Sequence, residues 1–309
     1  MATGGFKHRA KSLIRSSLPL ALRKWIAIWL HRQHWISLSR RTWWSTELLR
    51  DFADRDVNAY HKFLWAHHLV YAVTYEVGAR FGTDHLIPSR QLFFADLCRQ
   101  VQALGLPPET VGSVLEVGCS LGYQLRYVET ELFPSATRLD GLDIDQYAIR
   151  AGTEYLRTVG SHVSLHCGDM QWLDEFARRR MYDVILCTGT LLYLQEAEAA
   201  AVVCMMLAHS RILVALAGLA HPAVDNAHLL RSDVRSRDAT LIHNFDQMVE
   251  AAGGRVVGRR WEGAREVEGQ TIYFVFAAPP VAQNPNRRPT AALGMGASLN
   301  VTAHCTGKQ

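Results

Sequence analysis

The chain has 309 residues, of which 49% are hydrophobic and 20% charged, and a formal net charge of +4. That length holds one large domain, or one domain with additions, around a sizeable core. The first fifty residues carry ten Lys or Arg and one acid, Glu47, about +9 in all; the mildly acidic remainder excludes an obvious nucleic-acid-binding face on the body.

Residues 1–17 are basic and serine-containing and are expected to be flexible. A helix is expected from Leu18, with Ser17 as its cap and Pro19 in its first turn. Leu22, Trp25, Ile26, Trp29 and Leu30 share one face, and Arg23, Lys24, His31 and Arg32 lie around the other. Three readings stay open for residues 18–32. They are a helix lying on an anionic membrane surface, a helix packed on the body or on a second subunit, and an organellar presequence. Residues 45–104 read as further helix: one long segment from Asn58 to Gly78, then another from Arg90 to Leu104. His61, His67 and His68 lack a carboxylate or fourth ligand at a metal-binding offset, so they read as satisfied or substrate-lining. Gly105-Leu106-Pro107-Pro108 ends this part, and residues 18–110 read as a helical accessory region or lid.

From residue 111 strands alternate with helices, the mark of a parallel sheet. Strands are expected at Ser113–Val117, Leu139–Ile144, Val163–Cys167, Tyr182–Cys187 and Arg211–Ala217. Helices are expected at Tyr123–Leu132, Gln146–Thr158, Trp172–Arg179 and Gln195–Ala208. A polar stretch, Gly218–Thr240, precedes a helix at Leu241–Ala252 and strands at Arg255–Trp261 and Gln270–Ala277. The tail, 279–309, is rich in Pro, Asn, Gly and Ala and is expected to be disordered.

Four features fall at the carboxyl ends of consecutive strands. The first is Val114-Leu115-Glu116-Val117-Gly118-Cys119-Ser120-Leu121-Gly122, an apolar run that breaks at two glycines. They let the chain turn sharply and a ligand come close to a helix start. The second is Asp143 in Leu142-Asp143-Ile144-Asp145, about 20 residues past the last glycine, where an acid reading ribose hydroxyls is expected. The third is Gly168-Asp169-Met170, and the fourth is Thr188-Gly189-Thr190. In an open α/β sheet these ends share one crevice.

Val114–Gly122, with Asp143, Gly168-Asp169 and Tyr182–Tyr193, resembles the class I S-adenosylmethionine-dependent methyltransferases over about residues 111–278. The resemblance implies a Rossmann-like, doubly wound seven-stranded sheet, mostly parallel with an antiparallel last strand, preceded by the helical region. It implies S-adenosyl-L-methionine as cofactor. The glycine turn (Glu116, Gly118, Cys119, Ser120, Gly122) would hold the methionine part. Asp143, with Ile144 beside it, would take the ribose hydroxyls, and Asp169 and Met170 the adenine. Thr188 would complete the wall. Ser120 stands where the family usually has glycine, and Glu116 where aspartate is commoner.

The implied reaction is methyl transfer to oxygen or nitrogen of a small molecule: a sugar, a lipid-linked compound or a secondary metabolite. A base that removes the acceptor proton is sought at His221, His243 or Tyr193. The arginines of 231–238 would grip an anionic acceptor if that loop closes over the crevice. Tyr71, Tyr75 and His68 are candidate acceptor contacts from the lid. Two alternatives remain. One is a binding or scaffold protein that keeps the fold. The other is an α/β-hydrolase, because Gly118–Gly122 also reads G-x-S-x-G, with Ser120, Asp225 and His243 in triad order. The six cysteines show no metal spacing, which argues for a reducing, cytoplasmic setting without structural zinc. No nucleic-acid partner is expected, and the oligomeric state is left open.

Overall fold

In the computed structural model the described residues are 18–33, 35–36, 38–69, 86–178, 180–235, 240–267 and 269–280. Helices α1 (Leu20–Arg32), α2 (Leu38–Arg55), α3 (Val57–Ala66) and α4 (Pro88–Ala103) come first. The body then runs β1 (Ser113–Val117), α5 (Tyr123–Tyr127), β2 (Arg138–Asp143), α6 (Gln146–Thr158), β3 (Ser164–Cys167), α7 (Leu173–Phe176) and β4 (Tyr182–Thr188). It continues with α8 (Glu196–His209), β5 (Ser210–Gly218), a two-residue pair β6 (Asp233–Val234) and β7 (Leu241–Ile242), α9 (Phe245–Ala251), β8 (Arg255–Val267) and β9 (Gln270–Ala278).

Seven strands form one sheet in the order β3-β2-β1-β4-β5-β9-β8. The first five pair in parallel, while β9 runs antiparallel to both β5 and β8. This is the expected mostly parallel sheet with an antiparallel last strand. Buried on both faces, β1 has every residue inaccessible to solvent, as a central parallel strand requires. Side chains alternate between two apolar layers. Val114, Val184, Leu213, Phe274 and Phe276 meet α4, α5 and α6 on one face. Leu115, Ile185, Val214, Tyr273 and Val275 meet α7, α8 and α9 on the other. Each buried Phe or Leu in these layers contributes roughly 1.5–3 kcal/mol of transfer free energy. Phe93 of α4 packs edge-on against Phe274 at 5.2 Å and stacks on Phe276 at 5.7 Å, which fixes α4 to the hairpin.

Several elements differ from expectation. The segment begun at Asn58 ends at Ala66, because His68 adopts a left-handed backbone (φ 55°) and its ring bonds the Asp145 carboxylate. From residue 70 on, that expected helix, with Tyr71 and Tyr75, lies outside the described residues, as do 1–17 and 281–309. The helix expected across 123–132 is α-helical only to Tyr127 and continues as a π-turn, Val128–Leu132. The helix expected from Leu241 starts at Phe245, because the Asn244 side chain caps it by accepting from the Gln247 N–H. The helix expected at Leu18 begins at Leu20 after Pro19, without a side-chain cap. Of the residues expected to share one apolar face, Ile26 and Leu30 pack against Ala27, Leu48 and Leu49 while Leu22, Trp25 and Trp29 face out, and Arg23, Ala27 and His31 are buried.

Candidate functional site

The loops at the carboxyl ends of β1, β2, β3 and β4 enclose one cavity, and α3 closes its outer side. Its wall includes Gly118 and Ser120 from the first loop, Asp143 and Ile144 from the second, Asp169 and Met170 from the third, and Thr188 from the fourth. Asn58, Lys62 and Trp65 face it from α3, Arg90 from α4, and Arg235 and Gln270 from the far side.

The first loop is shaped by backbone that ordinary side chains avoid. Gly118 (φ 81°) and Gly122 (φ 78°) are left-handed, and so is Ser120 (φ 50°). A Cβ on Gly118 would lie 2.2 Å from Thr190 Oγ1, so the turn approaches the loop after β4 too closely for any larger residue. The Ser120 N–H donates to Asp143 Oδ2 at 2.8 Å, and the Asp145 N–H donates to Asp143 Oδ1 at 2.8 Å. One carboxylate thus ties the two loops together. Burial pushes the Asp143 carboxyl up from its ordinary value, although these backbone donors favour its charged form.

Beneath the turn, Glu116 is fully buried and does not line the cavity. Gln124 Nε2 donates to Glu116 Oε1 at 2.7 Å and to Thr188 Oγ1 at 2.8 Å, so the acid braces the wall. Glu116 Oε2 has no hydrogen-bond partner among the described residues. Burial drives the Glu116 carboxyl well above its usual range, against the pull of the Arg90 charge. Cys119 and Gly122 also sit behind the cavity rather than on it. Burial raises the Cys119 thiol strongly, which keeps it a neutral packing group.

The third acid, Asp169, accepts from the Gln171 N–H at 3.0 Å and pairs with Lys62 of α3. Asn58 of α3 donates to both oxygens of Glu198, at 2.8 and 2.6 Å. Glu198 also accepts from Gln171 Nε2 at 2.8 Å and from the Gln195 N–H at 3.2 Å, inside the capping box of α8. The Trp65 and Tyr193 rings meet at 5.0 Å, and His61 meets Tyr193 edge-on at 5.3 Å. Polar and aromatic contacts together seat α3 on the cavity rim.

The candidate bases separate. Tyr193 is on the cavity wall; His221 and His243 are not. His221 Nδ1 accepts from the Ala223 and Val224 N–H groups at 3.2 and 3.0 Å, and Nε2 faces Asp233. His243 is buried, donates from Nε2 to the Leu191 carbonyl at 3.0 Å and accepts from the Ser232 hydroxyl at 2.6 Å. Burial lowers its pKa, which favours that neutral tautomer. Both histidines therefore hold loops. Their bonds also leave no ring nitrogen of His243 for Ser120, and Asp225 is taken by Arg259, so the hydrolase triad is not assembled. Arg235 is the one arginine of 231–238 on the wall among the described residues. Sequence reasoning missed Asn58, Lys62, Trp65, Arg90 and Gln124. Gln124, two residues past the second glycine, had a positional signal; the others are brought in by helix docking alone. Among the described residues no cluster of His, Cys, Asp or Glu is arranged to hold a metal.

Residues 114–211 match the family model described as a methyltransferase domain. No curated protein matches the chain. Among solved structures, the chain resembles magnesium protoporphyrin IX methyltransferase from Synechocystis PCC 6803 with bound SAH. That match has 12% identity and a TM-score of 0.47, over 74% of this chain and 99% of that one. An amino pentose methyltransferase from Micromonospora echinaspora, with SAM bound, gives 21% identity and a TM-score of 0.46, over 67% and 97%. The N-terminal domain of a protein crystallised with SAH and D-fucose gives 18% and 0.46, over 65% and 85%. Residues 114–211, which match the methyltransferase-domain model, carry β1 to β4 and the glycine turn at the centre of the mostly parallel sheet.

Proposed function

We propose that the protein transfers a methyl group from S-adenosylmethionine to an oxygen or nitrogen of a small molecule. One observation carries the reading. Gly118, Ser120, Asp143, Asp169 and Thr188, dispersed over about seventy residues of sequence, converge on one cavity. Its residues suit this cofactor. The left-handed turn offers close backbone approach, Asp143 offers lone pairs to ribose hydroxyls, and the apolar side chains of Ile144 and Met170 offer contacts to a base. Asp169 lies beside them with a carboxylate for an exocyclic amine. The Asp143 carboxylate on the wall, with two backbone donors that favour its charged form, suits a cationic ligand. S-adenosylmethionine supplies an electrophilic methyl group; the chain's own residues bind, orient and exclude water.

On the acceptor side, α3 acts as a lid. Trp65 and Tyr193 form an aromatic wall, and Arg235 places a cation where an anionic or strongly polar acceptor would sit. Tyr193 is the acceptor-side hydroxyl, and His243 positions its loop through the Leu191 carbonyl. Calorimetric titration with S-adenosylmethionine and S-adenosylhomocysteine tests the reading. Stoichiometric binding is expected, weakened about 10- to 100-fold in Asp143→Ala. Absence of binding to the folded wild type, or equal binding by the variant, would overturn it.

A further inference from the structure

Helix α1 packs Leu20, Ile26 and Leu30 against Ala27, Leu48 and Leu49, yet it also turns charged side chains inward and tryptophans outward. Arg23, Ala27 and His31, spaced by four, are its buried face, at 3, 0 and 4% exposure. Arg23 makes a bidentate pair with Asp51 of α2 and donates to the Leu48 carbonyl at 3.0 Å. The Ser45 hydroxyl reaches the Ala27 carbonyl at 3.5 Å, and Lys24 lies 4.1 Å from the Phe52 ring. These contacts fix which way the helix faces. The opposite arc is Leu22, Trp25 and Trp29, spaced by three and four, at 42, 60 and 43% exposure, and Arg32 at the edge of that arc is exposed too. Trp35, just past the helix, is 75% exposed. A scattered surface tryptophan needs no explanation, but two tryptophans and a leucine on one arc, followed closely by a third exposed tryptophan, do.

We infer that this arc is a docking surface for an anionic lipid bilayer. The occupant is chosen by charge as well as polarity. No acid precedes Glu47, and the sequence leading into α1 adds Lys7, Arg9, Lys11 and Arg15. Tryptophan prefers the bilayer interface, where its ring is apolar and its N–H stays wet, and basic residues beside it pair with anionic headgroups. A second copy of the chain would bring two strongly basic segments together. No described helix is long and apolar enough to cross a membrane, so the contact is peripheral. It does not depend on the methyl-transfer reading, because none of these residues lines the cavity.

The test is co-sedimentation of the full chain with vesicles of phosphatidylcholine alone and of phosphatidylcholine with phosphatidylserine. Binding is expected to the mixed vesicles and to weaken with added salt. Trp25→Ala/Trp29→Ala/Trp35→Ala should lower the partition coefficient at least about tenfold. The variant should keep the wild-type melting temperature and affinity for S-adenosylhomocysteine. Quenching of wild-type tryptophan fluorescence by brominated lipid, reduced in the variant, would support insertion directly. Absence of wild-type sedimentation would overturn the inference, and so would equal sedimentation of the variant. A wild-type dimer that the same variant splits into monomers would overturn it in favour of a second copy.

Discussion

The floor and the cover of the cavity are held by different physics. The floor, around β1 and β2, is fixed by backbone: left-handed residues at Gly118, Ser120 and Gly122, and an Asp143 carboxylate that takes two main-chain donors. The cover, α3, is fixed mainly by side chains: Asn58 on Glu198, Lys62 on Asp169, and Trp65 on Tyr193. Backbone bonds in a buried sheet open only with the fold, whereas partly exposed side-chain pairs contribute little each. The floor is therefore preorganised, while the cover can open without unfolding the sheet.

The largest break is expected in the floor. Gly118→Ala puts a Cβ against Thr190 in a left-handed position, and should destabilise the fold by about 2–4 kcal/mol and abolish cofactor binding. Thermal unfolding and calorimetry would check both. Glu116→Gln acts more gently and depends on pH. Burial raises the folded-state pKa of Glu116 above its unfolded value. Folding therefore takes up protons there, and stability is lost as pH rises through that raised value. The glutamine variant should gain on the order of 1 kcal/mol over wild type at about pH 8, and that gain should vanish towards about pH 4. Melting curves of the cofactor-free proteins across that range would show the crossover.

The cover should break with less effect on the whole. Asn58→Ala/Lys62→Ala should lower the opening free energy of residues 57–66 by about 1–2 kcal/mol, read as faster amide exchange there. Exchange in β1 and β4 should stay unchanged. The smallest effect is expected at Ser120→Gly. Relief of about 1–2 kcal/mol of left-handed strain is offset by roughly 0.5–1 kcal/mol of added chain entropy, leaving a gain of at most about 1.5 kcal/mol. Chemical denaturation of the two forms measures it.

The same contrast explains what could be read from sequence. The floor was legible because its signals are local: an apolar strand, a glycine turn, and acids at the ends of the next two strands. Asp143, Asp169, Met170, Thr188 and Tyr193 all reach the cavity wall. The cover was not legible. Nothing about Lys62 in its own segment announces that α3 will dock it on Asp169. Arg90 follows a plain Pro-Ser helix start, yet its guanidinium reaches the Thr188 carbonyl at 3.2 Å. His221 and His243 misled because histidine type was legible and its partners were not: both rings are spent on nearby loops. In α1 the hydrophobic spacing was legible but the side that meets the protein was not, because it is set by partners far along the chain, such as Asp51 for Arg23.

The central claim is that floor and cover make one site. Amide exchange with and without S-adenosylhomocysteine tests it most directly. Slower exchange is expected in both 118–122 and 57–66 when the ligand binds, with the Asn58→Ala/Lys62→Ala variant losing protection only in 57–66. Protection of 118–122 with no change in 57–66 of the wild type would contradict it, and α3 would then have no part in the bound state.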